Sequence, residues 1–239
     1  MELFTQENIN WFMTHPQSEW SGDDDAKKFT AMYLKQRIKK LLPYSLYNEK
    51  DVLKHTFDEF KEDSTEERAI KEKALQIYDR IYNGEKFNVI FTGPAGTGKT
   101  LLAISILNKM QSSIDGMLSP LFISVPILRD LELAKSRGDD PEQKANKYER
   151  LIADADILVL DDLGSEVSMS GQVKQATDSW QGSLFRIAES RINKVNIITT
   201  NNTGKELQGM YNEKLISRLM TKSPDNIIDF KTLKDHRLK

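Results

Sequence analysis

The chain contains no cysteine, which removes disulfides, thiolate chemistry and cysteine-ligated zinc together. Histidine is nearly as scarce: His15, His55 and His236 lie far apart in sequence, so a histidine metal centre is not expected. No apolar run approaches the roughly 20 residues of a membrane-spanning helix. The opening "MELFTQENINWF" has neither the basic start nor the apolar core of a secretion signal, and a cytoplasmic protein without membrane contact is the expectation. An excess of one charge is missing too. With 34 Lys and Arg against 36 Asp and Glu, the formal charge is −2, so no global field draws the molecule to nucleic acid and any such contact must be local. Glycine (12) and proline (7) are few in 239 residues; with 38% hydrophobic and 29% charged residues, the chain is globular rather than fibrous or disordered. Its length accommodates one sizeable core and a smaller appendage.

What is present divides the chain in two: a helical N-terminal region over 1–50 and a second domain over 51–239. "DDDAKKFTAMYLKQRIKKLLP" starts with acids suited to a helix N-terminus and stops at Pro43. Ala31, Leu34, Ile38, Leu41 and Leu42 recur at helical spacing among Lys27, Lys28, Lys35, Arg37, Lys39 and Lys40, which makes a basic amphipathic helix. Ser64 with Glu67 is a capping box opening a second helix, whose buried face is Ile70, Ala74, Ile77 and Ile81 and whose end is near Asn83-Gly84. From Phe87 onward short apolar runs alternate with helical stretches, the pattern of a parallel sheet covered by helices on both faces. The predicted strands are 87–92, 121–125, 157–161, 195–199 and 226–230; the predicted helices are near 99–111, 127–153, 172–192 and 205–220, the last opened by a Thr203/Glu206 capping box.

Chemistry concentrates at the C-terminal ends of three of these strands. Gly93, Pro94, Ala95, Gly96, Thr97, Gly98, Lys99 and Thr100 satisfy the eight-place phosphate-loop pattern between a strand and a helix. Such glycines let backbone N–H groups surround a β-phosphate, and the helix beginning around Leu101 adds its positive end. The pattern assigns Lys99 to the β- and γ-phosphates and the Thr100 hydroxyl to Mg²⁺. A carboxylate is then needed from a neighbouring strand, and "ILVLDDLGSE" supplies Asp161 for Mg²⁺ and Asp162 as general base or water-orienter, with Glu166 as the alternative for the second task. By itself an Asp-Asp strand end is equally a cap or a turn. "VNIITTNN" ends in four polar residues, Thr199 to Asn202, of which Asn201 is assigned to the γ-phosphate or the water.

Competing machines are separable on residues. A guanine-specific switch carries Asn-Lys-x-Asp, whereas this chain has "NKVN" at 193–196, inside a predicted strand. A small-molecule kinase needs an arginine-rich lid, and the stretch after Asp162 offers only Arg186 and Arg191 on a helix whose apolar residues point to packing. An ATPase completed by a charge from elsewhere remains. In "YNEKLISRLM" the packed face of Leu215, Leu219 and Met220 leaves Arg218 outside it, as a trans-acting arginine or as a solvated surface residue.

"TGPAGTGKTLLA", "FISVPILRDL", "ILVLDDLGSE", "IITTNN" and "LISRLM" resemble, in order and spacing, the AAA+ ATPases, and among them the DnaC-type helicase loaders with their IstB-type transposition relatives. The resemblance covers about residues 57–230. It implies a P-loop AAA+ five-stranded parallel sheet flanked by helices, a Walker A motif at Gly93 to Thr100, Walker B at Asp161 and Asp162, sensor 1 at Asn201 and an arginine finger at Arg218. It further implies ATP or ADP with Mg²⁺ as ligands and a homo-oligomer in the ATP state. The chain departs from the broad family in ending soon after "NIIDF", without a full helical lid; Arg237 is its only late arginine and a poor match to a sensor 2 residue. The loaders share a reduced lid. By resemblance, the partners are a DnaB-type replicative helicase, gripped through residues 1–50, and single-stranded DNA. Trp11, Phe12 and Trp20 suit partner pockets, the basic helix suits an acidic partner, DNA backbone or solvent alike, and "SEVSMSGQVK", with Ser168, Ser170 and Lys174, is a DNA-facing loop or a plain surface loop.

Overall fold

Alternate residues of each strand between Asn88 and Asp229 feed opposite layers, and that alternation sets the architecture. Val89 and Phe91 of β1 (Asn88–Thr92) enter one apolar cluster while Ile90 enters the other; Ile157 and Val159 of β3 (Ile157–Asp161) are separated from Leu158 and Leu160 in the same way. Strands apolar on both sides belong in a sheet covered on both faces. The computed structural model describes residues 41–49, 51–112, 118–135, 141–167, 174–221 and 223–236. The sheet also includes β2 (Pro120–Ser124), β4 (Val195–Thr200) and β5 (Ile227–Asp229), all parallel in the order β2-β3-β4-β1-β5. This is the expected five-stranded parallel sheet, flanked by seven α-helices among the described residues.

The helices are α1 (Thr65–Tyr82), α2 (Lys99–Ser112), α3 (Val125–Lys135), α4 (Pro141–Asp154), α5 (Asp178–Ser190), α6 (Gly204–Met210) and α7 (Glu213–Leu219). Both expected capping boxes form, Ser64/Glu67 on α1 and Thr203/Glu206 on α6, and Ile70, Ala74, Ile77 and Ile81 are buried. Two of the expected helices are divided. The stretch near 127–153 becomes α3 and α4, since Pro141 has no N–H for a continuing helix. The stretch near 205–220 breaks where Tyr211 adopts extended backbone and Asn212 caps α7, accepting from Leu215 N–H at 2.9 Å. Likewise α5 starts at Asp178 rather than near 172, because the Thr177 side chain caps it.

Leu41 and Leu42 are buried, and Leu46 runs beside β2: its N–H donates to Phe122 O at 2.9 Å and its O accepts from Ser124 N–H at 2.9 Å. The far end of the region assigned to 1–50 therefore covers the sheet edge. The basic helix before it, Trp11, Phe12 and Trp20, Ser168 and Ser170, and Arg237 lie outside the described residues.

Candidate functional site

Strand order decides which strand ends meet. β4 lies between β1 and β3, so the loop leaving β1 at Gly93, the Thr199–Thr200 end of β4 and Asp161 at the end of β3 are neighbours along one edge. Together they floor a cleft of about 410 Å³, within the range of ligand pockets. Ala95 to Leu101, Asp161, Asp162, Thr199 and Asn201 line it, along with His55, Glu59, Phe60, Lys61 and His236. Thus every residue expected in the phosphate loop from Ala95 onward faces the cleft, and Gly93 and Pro94 form the turn leading in.

The loop backbone has the conformation an anion cradle needs. Gly96 has φ +73°, and a Cβ there would stand 1.8 Å from the Asp235 carboxylate. Gly98 has φ +91°, and its Cβ would meet the Phe60 ring at 2.7 Å, so neither position admits a side chain without displacing a wall of the site. Immediately after, α2 presents its N-terminal N–H groups to the same space. Lys99, though cationic, is only 6% exposed; its Nζ donates to Gly93 O at 2.8 Å and Pro94 O at 2.5 Å, which folds the side chain back along the loop.

Across the cleft, Asp161 Oδ1 accepts from Thr100 Oγ1 at 2.8 Å and from Thr199 Oγ1 at 2.6 Å. Burial pushes the Asp161 pKa up to about 6; the two threonine hydroxyls oppose the rise, the adjacent Asp162 adds to it, and Lys99 lowers it. A hydroxyl and a carboxylate already in contact are hard oxygen donors of the kind Mg²⁺ takes alongside phosphate oxygens. Asp162 takes the left-handed conformation, φ +65°. It is held there by β4: Asp162 N–H donates to Thr199 Oγ1 at 2.9 Å and Leu163 N–H to Thr199 O at 2.9 Å. Asn201 Nδ2 then donates to Asp162 Oδ1 at 3.0 Å, bringing together the two residues assigned to the water.

Glu166 is not at the cleft. Its Oε1 accepts from Trp180 Nε1 at 2.9 Å and from the Tyr211 hydroxyl, and its Oε2 from Gly164 N–H at 2.8 Å, so packing with α5 and the α6–α7 turn occupies the carboxylate. Arg218 also stands apart. Asn88 Nδ2 donates to Arg218 O at 2.7 Å, which puts Arg218 at the N-terminal end of β1, a strand's length of roughly 13 Å from the phosphate loop at 3.3 Å per residue.

Thr199 and His236 are site residues that the sequence does not single out. Thr199 sits in the polar strand end already noted, but only its place beside β3 lets it bind Asp161 and the Asp162 backbone at once. His236 belongs to the segment after β5, which returns across the loop: Phe230 N–H donates to Thr92 O at 2.7 Å and His236 N–H to Gly96 O at 3.1 Å. Its Nε2 is 2.9 Å from Glu67 Oε1. Burial works against ionised Glu67, but Ser64 and His236 outweigh it and hold the pKa below the ordinary value.

The raised Asp161 pKa makes a stability prediction. Between about pH 4 and 6 the folded chain keeps a proton the unfolded chain has lost, so stability falls as pH rises through that window. The difference from an ordinary aspartate corresponds to at most about 3 kcal/mol. Asp161→Asn, which keeps the Oδ1 acceptor for both threonines, is expected to raise the magnesium-free melting temperature at pH 7.5 and to leave it nearly unchanged at pH 4. Thermal denaturation at the two pH values checks this; equal effects at both would refute the burial of a charge as the cause.

The family described as IstB-like ATP binding protein matches residues 31–222. An ATP-binding protein of the insertion sequence IS5376 from Geobacillus stearothermophilus is 34% identical over 110 residues, 46% of this chain and 39% of that protein, so the match spans well under half of the relative. Among solved structures, the DnaC helicase loader superposes with a TM-score of 0.58 at 20% identity, covering 78% of this chain and all of that one. Domain III of the Thermotoga maritima replication initiation protein DnaA gives 0.54 at 21%, covering 77% of this chain and 68% of that one. At these identities the structures establish the fold and nothing finer. Among the described residues no helix is long and apolar enough to cross a membrane.

Proposed function

This chain belongs to the IstB-like ATP-binding protein family, and from that premise we propose that it is an assembly-dependent ATPase that loads a DnaB-type hexameric helicase onto single-stranded DNA. One observation carries the ATPase reading: the phosphate loop, the Asp161 pair of hydroxyl donors and the Asp162–Asn201 pair converge on one cleft, while Arg218 stands away from it at the other end of β1. A protomer so built holds a triphosphate but lacks the last positive charge, which a second copy supplies.

Thr100 and Asp161 would hold Mg²⁺, which when bound neutralises charge on the β- and γ-phosphates. The chain's own residues do the rest. Backbone N–H groups of 95–101 and the start of α2 bind the β-phosphate, and Lys99 swings from its carbonyl partners to the β- and γ-oxygens. Asp162, its Oδ1 fixed by Asn201, orients water on the γ-phosphorus and takes a proton as the P–O bond to ADP breaks. His55, Glu59, Phe60 and Lys61, which line the same cleft, take the nucleoside.

Helicase delivery is supported by the fold shared with the DnaC loader over its whole length. Residues 1–50 act as the hook, through Trp11, Phe12, Trp20 and the basic helix. Since Leu41 and Leu42 belong to the core, the informative deletion ends at residue 40. Full-length chain is expected to retain a DnaB-type helicase in an ATP-dependent pull-down, whereas the deletion binds ATP and retains none. No retention by the full-length chain would refute loading. The family match and the insertion-sequence relative favour a second reading, an ATPase acting with a transposase on DNA, and transposase retention in the same assay would select it.

A further inference from the structure

Arg218 is held at two points, neither of which the phosphate chemistry of its own chain requires. The first holds its backbone. Asn88, the first residue of β1, donates from Nδ2 to Arg218 O at 2.7 Å and Leu219 O at 3.0 Å, satisfying carbonyls that the end of α7 leaves open. Asn88 Oδ1 accepts in turn from Asn196 Nδ2 at 2.8 Å, and Asn196 Oδ1 from Nε of the buried Arg191 at 2.8 Å. The last turn of α7 is thereby tied to two central strands. Leu215, Ile216 and Leu219, all buried, clamp the other side of the helix.

The second point holds the side chain. Glu189, near the end of α5, accepts at Oε1 from Arg218 Nε at 2.5 Å. Both side chains are well exposed, at 45% for Arg218 and 37% for Glu189, and exposed ion pairs contribute little to stability. The contact does something else. A guanidinium is a planar fork, so holding it along its Nε side leaves the outer edge, with one N–H from each terminal nitrogen, pointing away from the carboxylate, the arrangement suited to gripping a phosphate.

We infer that Glu189 and Asn88 are positioning residues for Arg218, which present its two terminal nitrogens to the triphosphate cleft of a second copy of this chain. The inference rests on the reading of Arg218 as the trans-acting arginine. It also gives β1 a double duty, since one end of the strand carries the phosphate loop and the other the mount of the arginine offered to the neighbour.

The test is ATP hydrolysis by full-length protein against protomer concentration, separating the plateau rate from the assembly midpoint, with nucleotide affinity measured independently. Glu189→Ala is expected to lower the plateau about tenfold without changing nucleotide affinity, because a misaimed charge loses much of its effect. Glu189→Gln retains an oxygen acceptor for Nε and should stay within about twofold of wild type. Asn88→Asp, which keeps the acceptor for Asn196 but loses the donor to α7, should fall between them. In an Arg218→Ala background Glu189→Ala should cost nothing further. A Glu189→Ala plateau equal to wild type beside an inactive Arg218→Ala overturns the positioning role alone, as does an equal loss in Glu189→Ala and Glu189→Gln. A fully active Arg218→Ala overturns the trans reading and the inference with it.

Discussion

Arg218→Ala is expected to lower the assembled rate of ATP hydrolysis about a thousandfold, the lower end of what a trans-acting arginine contributes, and to leave nucleotide affinity of the dilute protomer unchanged. The two halves of that result have separate causes. Binding, on the proposed reading, depends on the loop, Lys99, Thr100 and Asp161, all in one chain and none of them hydrogen-bonded to Arg218. Hydrolysis develops charge on the γ-phosphoryl oxygens late, when those residues are already committed, and only an added cation lowers that barrier. An Arg218 serving its own cleft would have to cross the length of β1, whereas its backbone is pinned at the far end by Asn88. Arg218→Ala also separates the ATPase from a nucleotide-gated scaffold with negligible turnover. In a scaffold the substitution weakens assembly and leaves the slow hydrolysis as it was; in the ATPase it removes hydrolysis with ATP binding intact. Turnover assays combined with equilibrium binding of a fluorescent ATP analogue distinguish the two.

Lys99→Ala is expected to weaken nucleotide binding about a hundredfold, since it removes charge-assisted bonds to two phosphates from a site where the lysine is otherwise buried. Its larger use lies in mixtures. A Lys99→Ala protomer still carries Arg218, and an Arg218→Ala protomer still carries a complete cleft. Mixing two inactive proteins should therefore restore hydrolysis at interfaces where the first presents its arginine to the second, to about a quarter of the wild-type plateau for random one-to-one pairing. Activity no higher than the sum of the separate proteins would refute completion in trans, and no change confined to one chain reproduces a gain on mixing.

Much of the candidate site is legible in the order of the residues because its signals are short-range. The phosphate loop is eight consecutive residues whose spacing alone dictates a backbone cradle, and the Ser64 and Thr203 caps act over three residues. Asp161 and Asp162 are readable from four apolar residues ahead of them. The departures have the same origin. The predicted helix near 205–220 runs through Asn212, where apolar periodicity continues although the backbone turns extended before it, and the one near 127–153 runs through Pro141, which has no N–H to continue a helix. Glu166 is as available as Asp162 in the linear chain, and only packing shows its carboxylate taken by Trp180, Tyr211 and Gly164.

By itself the sequence determined the class of sheet, the loop with the phosphate-binding pattern, and the acids and amide that stand at strand ends, since each of these is written in residues a few positions apart. Tertiary structure decided which strand ends are neighbours. Placing β4 between β1 and β3 brings Thr199 onto Asp161 and Asn201 onto Asp162, the return of the chain after β5 sets His236 against Gly96, and the packing of α7 on α5 sets Glu189 against Arg218. The physical reason is that strand order and helix docking minimise exposed apolar area over the whole domain, a sum over distant residues that no local pattern records.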